Sequence, residues 1–241
     1  MADAEANDAI VRVTGVTRHY VGDGVTTKAL DGIDLVIERG EFTAMAGPSG
    51  SGKSTLLNLI GALDHPTSGS IHVDGVSIAE LSRSEQSHLR RDRIGFVFQN
   101  YNLVPVMTAM ENAEYVLMLR GVPRDERRAR VRKVLASVGL DGLEDRFPRQ
   151  LSGGQQQRVA IARALVTEPA LILADEPTAN VDSSTAIGLV NLMLELHAEQ
   201  GATFLLATHD LRVMRRAQRL LWLEDGRIAY DGPPSGFDLP Q

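Results

Sequence analysis

Gly47-Pro48-Ser49-Gly50-Ser51-Gly52-Lys53-Ser54 is the stretch whose reading decides the fold. It fits G-x-x-x-x-G-K-[ST], a phosphate-binding loop when a strand enters it and a helix leaves it. Both conditions are met: Phe42-Thr43-Ala44-Met45-Ala46 is a short apolar run of strand type, and Ser54 to Leu63 reads as a helix. Glycines let successive backbone N–H groups turn inward without a Cβ in the way. Together with the helix N-terminus, those N–H groups form a cradle for an anion. Lys53 adds a point charge for the β- and γ-phosphates, and the Ser54 hydroxyl offers Mg²⁺ a hard oxygen ligand. The expected cradle comprises Gly47, Pro48, Ser49, Gly50, Ser51, Gly52, Lys53, Ser54 and Thr55. A plain glycine-rich turn ahead of a helix is the bland alternative. The four fixed positions meet by chance in only roughly one such chain in a hundred, which favours nucleotide binding.

Working outward, Ile10 to Val13 and Ile33 to Ile37 have strand patterning, punctuated by Gly22 and Gly24 and then by Arg39-Gly40. Ser70 to Val76 and Ile94 to Phe98 are further strand candidates. Strand signals then thin out between Asn100 and Gln150, where Met110 to Leu119 and Asp125 to Val138 read as helices. In the second, Val131, Val134, Leu135 and Val138 follow the i, i+3, i+4, i+7 stripe. Alternation returns with a helix to Val166, a strand Leu171 to Ala174, a helix Ser184 to Glu199 and a strand Thr203 to Ala207. Two short strands, Leu220 to Leu223 and Arg227 to Tyr230, flank Asp225-Gly226. The order predicts an α/β fold with a parallel sheet covered on both faces, a small antiparallel β part at the N-terminus and an inserted helical subdomain. Residues 1–9 are expected to be disordered and 10–241 to form one domain, with 10–99 and 151–241 as its core and 100–150 as the helical insertion.

Composition narrows the function classes. The chain has 241 residues, a net charge of −6, 43% hydrophobic and 23% charged residues, which is ordinary for a folded protein. With no cysteine, disulfide scaffolds, Cys-zinc sites and thiolate catalysis are excluded. The acidic balance argues against nucleic acid as a partner. Apolar runs such as Ala170 to Ala174 are far short of the ~20 residues that a membrane span needs. No charged-then-apolar segment opens the sequence, so an intracellular protein is expected. The basic stretches Arg83 to Arg93 and Arg120 to Lys133 read as solvated helix faces, the second with Glu126 and Arg130 at i, i+4.

Two further motifs carry chemistry. Leu171-Ile172-Leu173-Ala174 ends in Asp175-Glu176, and acids at the C-terminal end of a parallel strand sit where such sheets bind ligands. Adjacent strand residues point in opposite directions, so the two acids are expected to do different jobs. One can hold a metal, usually through water; the other can orient or deprotonate an attacking water. Next, Leu151-Ser152-Gly153-Gly154-Gln155 precedes a predicted helix from Gln156 to Val166. Ser152 is a good N-cap, and glycines there cost helix propensity, so this reads as a second phosphate-binding helix start formed by Ser152, Gly153, Gly154 and Gln155.

These motifs, in this order, resemble the ATP-binding subunits of ABC transporters over about Ile10 to Asp231. Also similar are Gln99 after a strand, the turn Ala179-Asn180-Val181-Asp182, His209 after a strand and Tyr20. The loop Tyr20 to Gly24 ahead of Ala29-Leu30, Phe96-Val97-Phe98-Gln99, and Asn102-Leu103-Val104-Pro105 leading to Glu111-Asn112 resemble the macrolide-exporter and lipoprotein-releasing subfamily (MacB and LolD types). Val181 departs from the usual Leu and bears only on the packing of that turn. The resemblance implies ATP and Mg²⁺ as cofactors and ATP hydrolysis as the reaction. It makes Ser54 and Gln99 metal ligands with Asp175 behind a water. Glu176 acts on the attacking water, His209 contacts the γ-phosphate, and Tyr20 stacks on adenine. Asp182 belongs to the nucleotide-contacting set. It implies a homodimer in which Ser152 to Gln155 close the ATP site of the second copy. A separate membrane permease would hold the protein peripherally on the inner face of the cell membrane, and Tyr101 to Met107 would dock it. The rival within the family is a non-transporting ATPase that drives cell-wall hydrolases.

Overall fold

The computed structural model describes residues 9–22 and 25–238. The expected disorder of Met1 to Asp8, and the turn residues Asp23 and Gly24, lie outside the described residues. Ala9, expected to be disordered, instead opens the first strand.

Strands β1 (Ala9–Gly22) and β2 (Val25–Glu38) form a long antiparallel ribbon, far longer than the short runs at Ile10 and Ile33. The polar ends of both strands have no apolar alternation, so their extension comes from mutual pairing, as between Tyr20 and Thr27. β3 (Phe42–Ala46) enters the phosphate loop, and α1 (Lys53–Ile60) leaves it one residue earlier than expected. The single strand expected from Ser70 to Val76 breaks at Asp74-Gly75, both at positive φ, into β4 (Ser68–Val73) and β5 (Val76–Ser77). β2, β1, β4 and β5, in that order, make a four-stranded antiparallel sheet.

The chain continues through α2 (Arg83–Arg93), β6 (Ile94–Phe98), α3 (Ala109–Leu119), α4 (Arg124–Ser137) and α5 (Gly153–Leu165). It ends with β7 (Leu171–Asp175), α6 (Ser183–Gln200), β8 (Phe204–Ala207), α7 (Leu211–Met214), β9 (Arg219–Glu224) and β10 (Arg227–Gly232). A six-stranded sheet has the order β10-β9-β3-β8-β7-β6, parallel from β9 to β6 with β10 antiparallel at the edge. Ser82, Thr108 and Ser152 each start a helix with a reciprocal capping box to Glu85, Glu111 and Gln155.

Successive residues of the parallel strands fall into two separate hydrophobic clusters. Ala44, Ala46, Ile172, Ala174, Phe204 and Leu206 pack toward the face carrying α3 to α6. Met45, Leu171, Leu173, Leu205 and Ala207 pack toward α1 and the antiparallel sheet. This is the period-two geometry of a strand covered on both sides, and it explains why these strands read as unbroken apolar runs. β9 carries Trp222 opposite Ala46 at the mouth of the phosphate loop, with the Phe237 ring 4.8 Å from the indole. Among the described residues no helix is long and apolar enough to cross a membrane.

Candidate nucleotide site

The C-terminal ends of β3, β6, β7 and β8 open onto a cavity of about 830 Å³. Ser49, Gly50, Gly52, Lys53, Ser54 and Thr55 line it from the loop and α1, with Gln99, Asp175, Glu176 and His209 facing them. The sequence-predicted phosphate, metal and acid residues are therefore brought together at one strand edge. Gly47, Pro48 and Ser51 build the loop without lining the cavity, Gly47 and Ser51 buried and Pro48 exposed. A Cβ on Gly47 would overlap the Leu223 carbonyl oxygen, so the loop needs glycine for close approach to β9 as well as for its turn.

Lys53 is only 6% exposed. Its Nζ donates to the Gly47 and Pro48 carbonyl oxygens at 2.8 and 2.9 Å. Burial pulls its pKa below the usual lysine value, opposed by Glu176 and Asp175. Ser54 Oγ donates to Asp175 Oδ1 at 3.1 Å. Burial raises the Asp175 pKa above the usual carboxylate range, against the Ser54 hydrogen bond and the Lys53 charge.

Glu176 corrects one expectation. The strand ends at Asp175, and Glu176 sits at φ 47°, in the left-handed region. The backbone turn abolishes the opposite pointing of adjacent strand residues, and both acids line the same cavity. The Glu176 N–H donates to the Ala207 carbonyl at 2.9 Å, which fixes the turn. Its carboxylate accepts from the His209 backbone N–H at 3.1 Å and lies 3.3 Å from His209 Nε2. Burial raises the Glu176 pKa, partly offset by His209. A non-glycine residue held at positive φ beside reacting groups is the usual location of stored backbone strain.

The second glycine turn is placed differently from the reading above. α5 begins at Gly153, not Gln156, with Ser152 as N-cap accepting from Gln155 N–H at 3.3 Å. A Cβ on Gly154 would overlap Thr185 Cγ2 of α6, so close helix packing is one reason for glycine there. Ser152, Gly153, Gly154 and Gln155 do not line the cavity of their own chain. Nor does Asp182, which caps α6 by accepting from the Ser184 and Thr185 N–H groups, both at 3.0 Å. Tyr20 also lies outside the cavity lining. Its hydroxyl donates to Asp64 at 3.0 Å, and the Arg18 guanidinium covers the ring at 4.4 Å.

Sequence reading missed Ala29, Thr178, Asp210 and Arg212, which line the same cavity. Thr178 Oγ1 donates to Asp210 at 3.1 Å, and Asp210 caps α7. The available signal was Asp210 directly after His209, a capping residue with no apolar helix behind it long enough to be noticed.

The ABC transporter family profile matches residues 30–179. The chain belongs to the ABC transporter family. It carries that family's ATP-binding cassette. A macrolide export ATP-binding/permease protein MacB of Hyphomonas neptunium is 47% identical to this ABC chain over 222 residues, covering 92% of the chain and 34% of the relative. The cassette therefore spans about a third of the length of the MacB relatives. A lipoprotein-releasing system ATP-binding protein LolD of Anaeromyxobacter dehalogenans is 48% identical over 224 residues, covering 92% of the chain and 94% of the relative. The solved dimer of a Methanocaldococcus jannaschii ATP-binding cassette, in a post-hydrolysis state with ADP and Pi, superposes with a TM-score of 0.87 at 43% identity. That comparison covers 94% of this chain and all of the other.

Proposed function

We propose that the chain hydrolyses MgATP as a homodimer and powers a membrane permease of the macrolide-export or lipoprotein-releasing type. One observation carries this reading: Lys53, Ser54, Gln99, Asp175, Glu176 and His209 converge on one cavity at the carboxyl edge of a parallel sheet. On nucleotide binding, Lys53 exchanges the Gly47 and Pro48 carbonyls for phosphate oxygens. The loop N–H groups spread the remaining charge. Ser54 hydroxyl, Asp175 carboxylate and Gln99 amide, all lining the cavity, are hard oxygen donors, a set that suits Mg²⁺. Held by these residues, Mg²⁺ would supply positive charge to offset that of the phosphates. Glu176 orients a water in line with the γ-phosphorus and takes its proton as the bond to ADP breaks. Its raised pKa makes it a better base than a solvated carboxylate. His209, held against Glu176, faces the γ-phosphate.

The dimer is supported by the solved relative, which is dimeric with ADP and Pi. It is also supported by the N-terminus of α5, whose Ser152 to Gln155 turn is left outside its own cavity. For the permease, the candidate surface is Val106, Met107, Tyr115 and Met118, around a hollow of about 320 Å³ that Glu111 and Glu114 also line. Leu103, read as part of that surface, packs against the core instead. The names of the relatives favour transport over the mechanotransmitting reading.

The purified chain is expected to hydrolyse ATP only with Mg²⁺ present, at a rate per chain that rises with protein concentration. A rate per chain independent of concentration, at levels where the protein is monomeric by light scattering, would reject the shared site.

A further inference from the structure

The segment after Gln99 is held in an unusual backbone conformation. Tyr101 and Asn102 both have positive φ, 59° and 49°, although neither is glycine. Two such residues in sequence are strained and persist only where surroundings hold them. Arg163 of α5 supplies the hold: its guanidinium donates to the Tyr101 and Asn102 carbonyl oxygens at 2.8 and 2.6 Å. Among the described residues Arg163 has no carboxylate partner, so its charge is spent on these two carbonyls.

The conformation brings the Tyr101 phenol to a junction. Its hydroxyl donates to the Asn180 carbonyl at 3.0 Å. The Asn180 side chain answers by donating to the Gln99 carbonyl and to Asn100 Oδ1, both at 3.0 Å. On the other side, a Cβ on Gly153 would lie 2.9 Å from the same phenolic oxygen. Gly153 is thus glycine where Tyr101 needs the room.

We infer that Tyr101 is a positioning residue for ATP hydrolysis, its hydroxyl tying the Gln99 segment to the Glu176–Asp182 turn and seating both against the first residue of α5. This rests on the proposed function, because it acts through Gln99, Glu176 and the α5 N-terminus. The phenol lies outside the cavity lining. It sets the relative position of groups that line the cavity, and small displacements of such groups are costly in rate.

The test uses Tyr101→Phe, which keeps the ring and removes the hydroxyl. Losing one positioning hydrogen bond is expected to lower kcat about three- to tenfold. KM and nucleotide affinity of the monomer should stay within about twofold, because the phosphate loop is untouched. Wild-type turnover with an unchanged kcat in the variant overturns the positioning role alone. No turnover in the wild type overturns the functional reading itself. A stability cycle needs no ATP: Gly153→Ala should lower the melting temperature less in the Tyr101→Phe background, where the next ring atom, Cζ, lies 3.9 Å from the new Cβ. Equal losses in both backgrounds would overturn the junction.

Discussion

Glu176 sits at φ 47°, outside the range of the strand it follows. Its left-handed backbone swings its carboxylate into the same cavity as Asp175, so the pair acts as neighbours with different partners: Ser54 for one, His209 for the other. Glu176→Gln keeps the shape and the hydrogen bond from the His209 N–H but cannot take a proton. Turnover should fall by about 10²–10⁴, with nucleotide still bound. The ATP-bound dimer should then accumulate on size-exclusion chromatography. Turnover within a few fold of wild type would assign the base elsewhere. The chemistry of this pair was legible in the sequence because acids after an apolar strand have a known place in such sheets. Their relative direction was not, because a single φ outside the strand range leaves no mark in residue type. Tyr20 shows the opposite limit. Its type suits a purine, but the partner of its hydroxyl, Asp64, comes from a segment that only folding brings near.

At the scale of elements, α5 and α6 explain two sequence features as packing and capping. Gly154 abuts Thr185, so Gly154→Ala should lower the melting temperature by overpacking, a cost of about 1–3 kcal/mol. Thr185→Ser removes the offending methyl and keeps the hydroxyl that donates to Asp182. The double variant should therefore melt above Gly154→Ala alone, read by calorimetry; no recovery would place the strain elsewhere. Asp182 offers a pH test. Hydrogen bonds from Ser184 and Thr185 hold its folded pKa below the unfolded value of 3.8. A depressed carboxylate stabilises fully above its unfolded pKa and loses that contribution as pH falls toward the folded one. The melting difference between wild type and Asp182→Ala should be full at pH 7 and shrink below about pH 4. A difference that grows on acidification would contradict the cap. The helix α2 is the solvated face that its basic sequence implies, with only Gln86 and Leu89 buried. The start of α5 at Gly153 is harder to read, since glycine propensity opposes what the Ser152–Gln155 capping box and tight packing impose.

For the whole molecule, the two faces of the parallel sheet have different duties. One cluster binds α1 and the antiparallel sheet to the phosphate loop; the other joins the sheet to α3, α4, α5 and α6. The hollow at Val106 and Met107 is built on α3, on the second side. Val106→Asp and Met107→Asp should leave the melting curve and basal ATPase near wild type while reducing permease co-purification and the permease's effect on turnover. Retained complex with unchanged modulation would move the docking surface elsewhere. The sheet also gives the protein a natural optical probe. The chain has a single tryptophan, Trp222, and the register sets it beside Ala46, the last residue before the phosphate loop. Its emission therefore comes from one place, next to the phosphate loop. Titrating ATP into the unlabelled protein should change the intensity or wavelength of that emission with a saturable midpoint. Lys53→Ala should shift the midpoint to higher nucleotide concentration. A silent indole would mean that filling the cavity leaves β9 undisturbed.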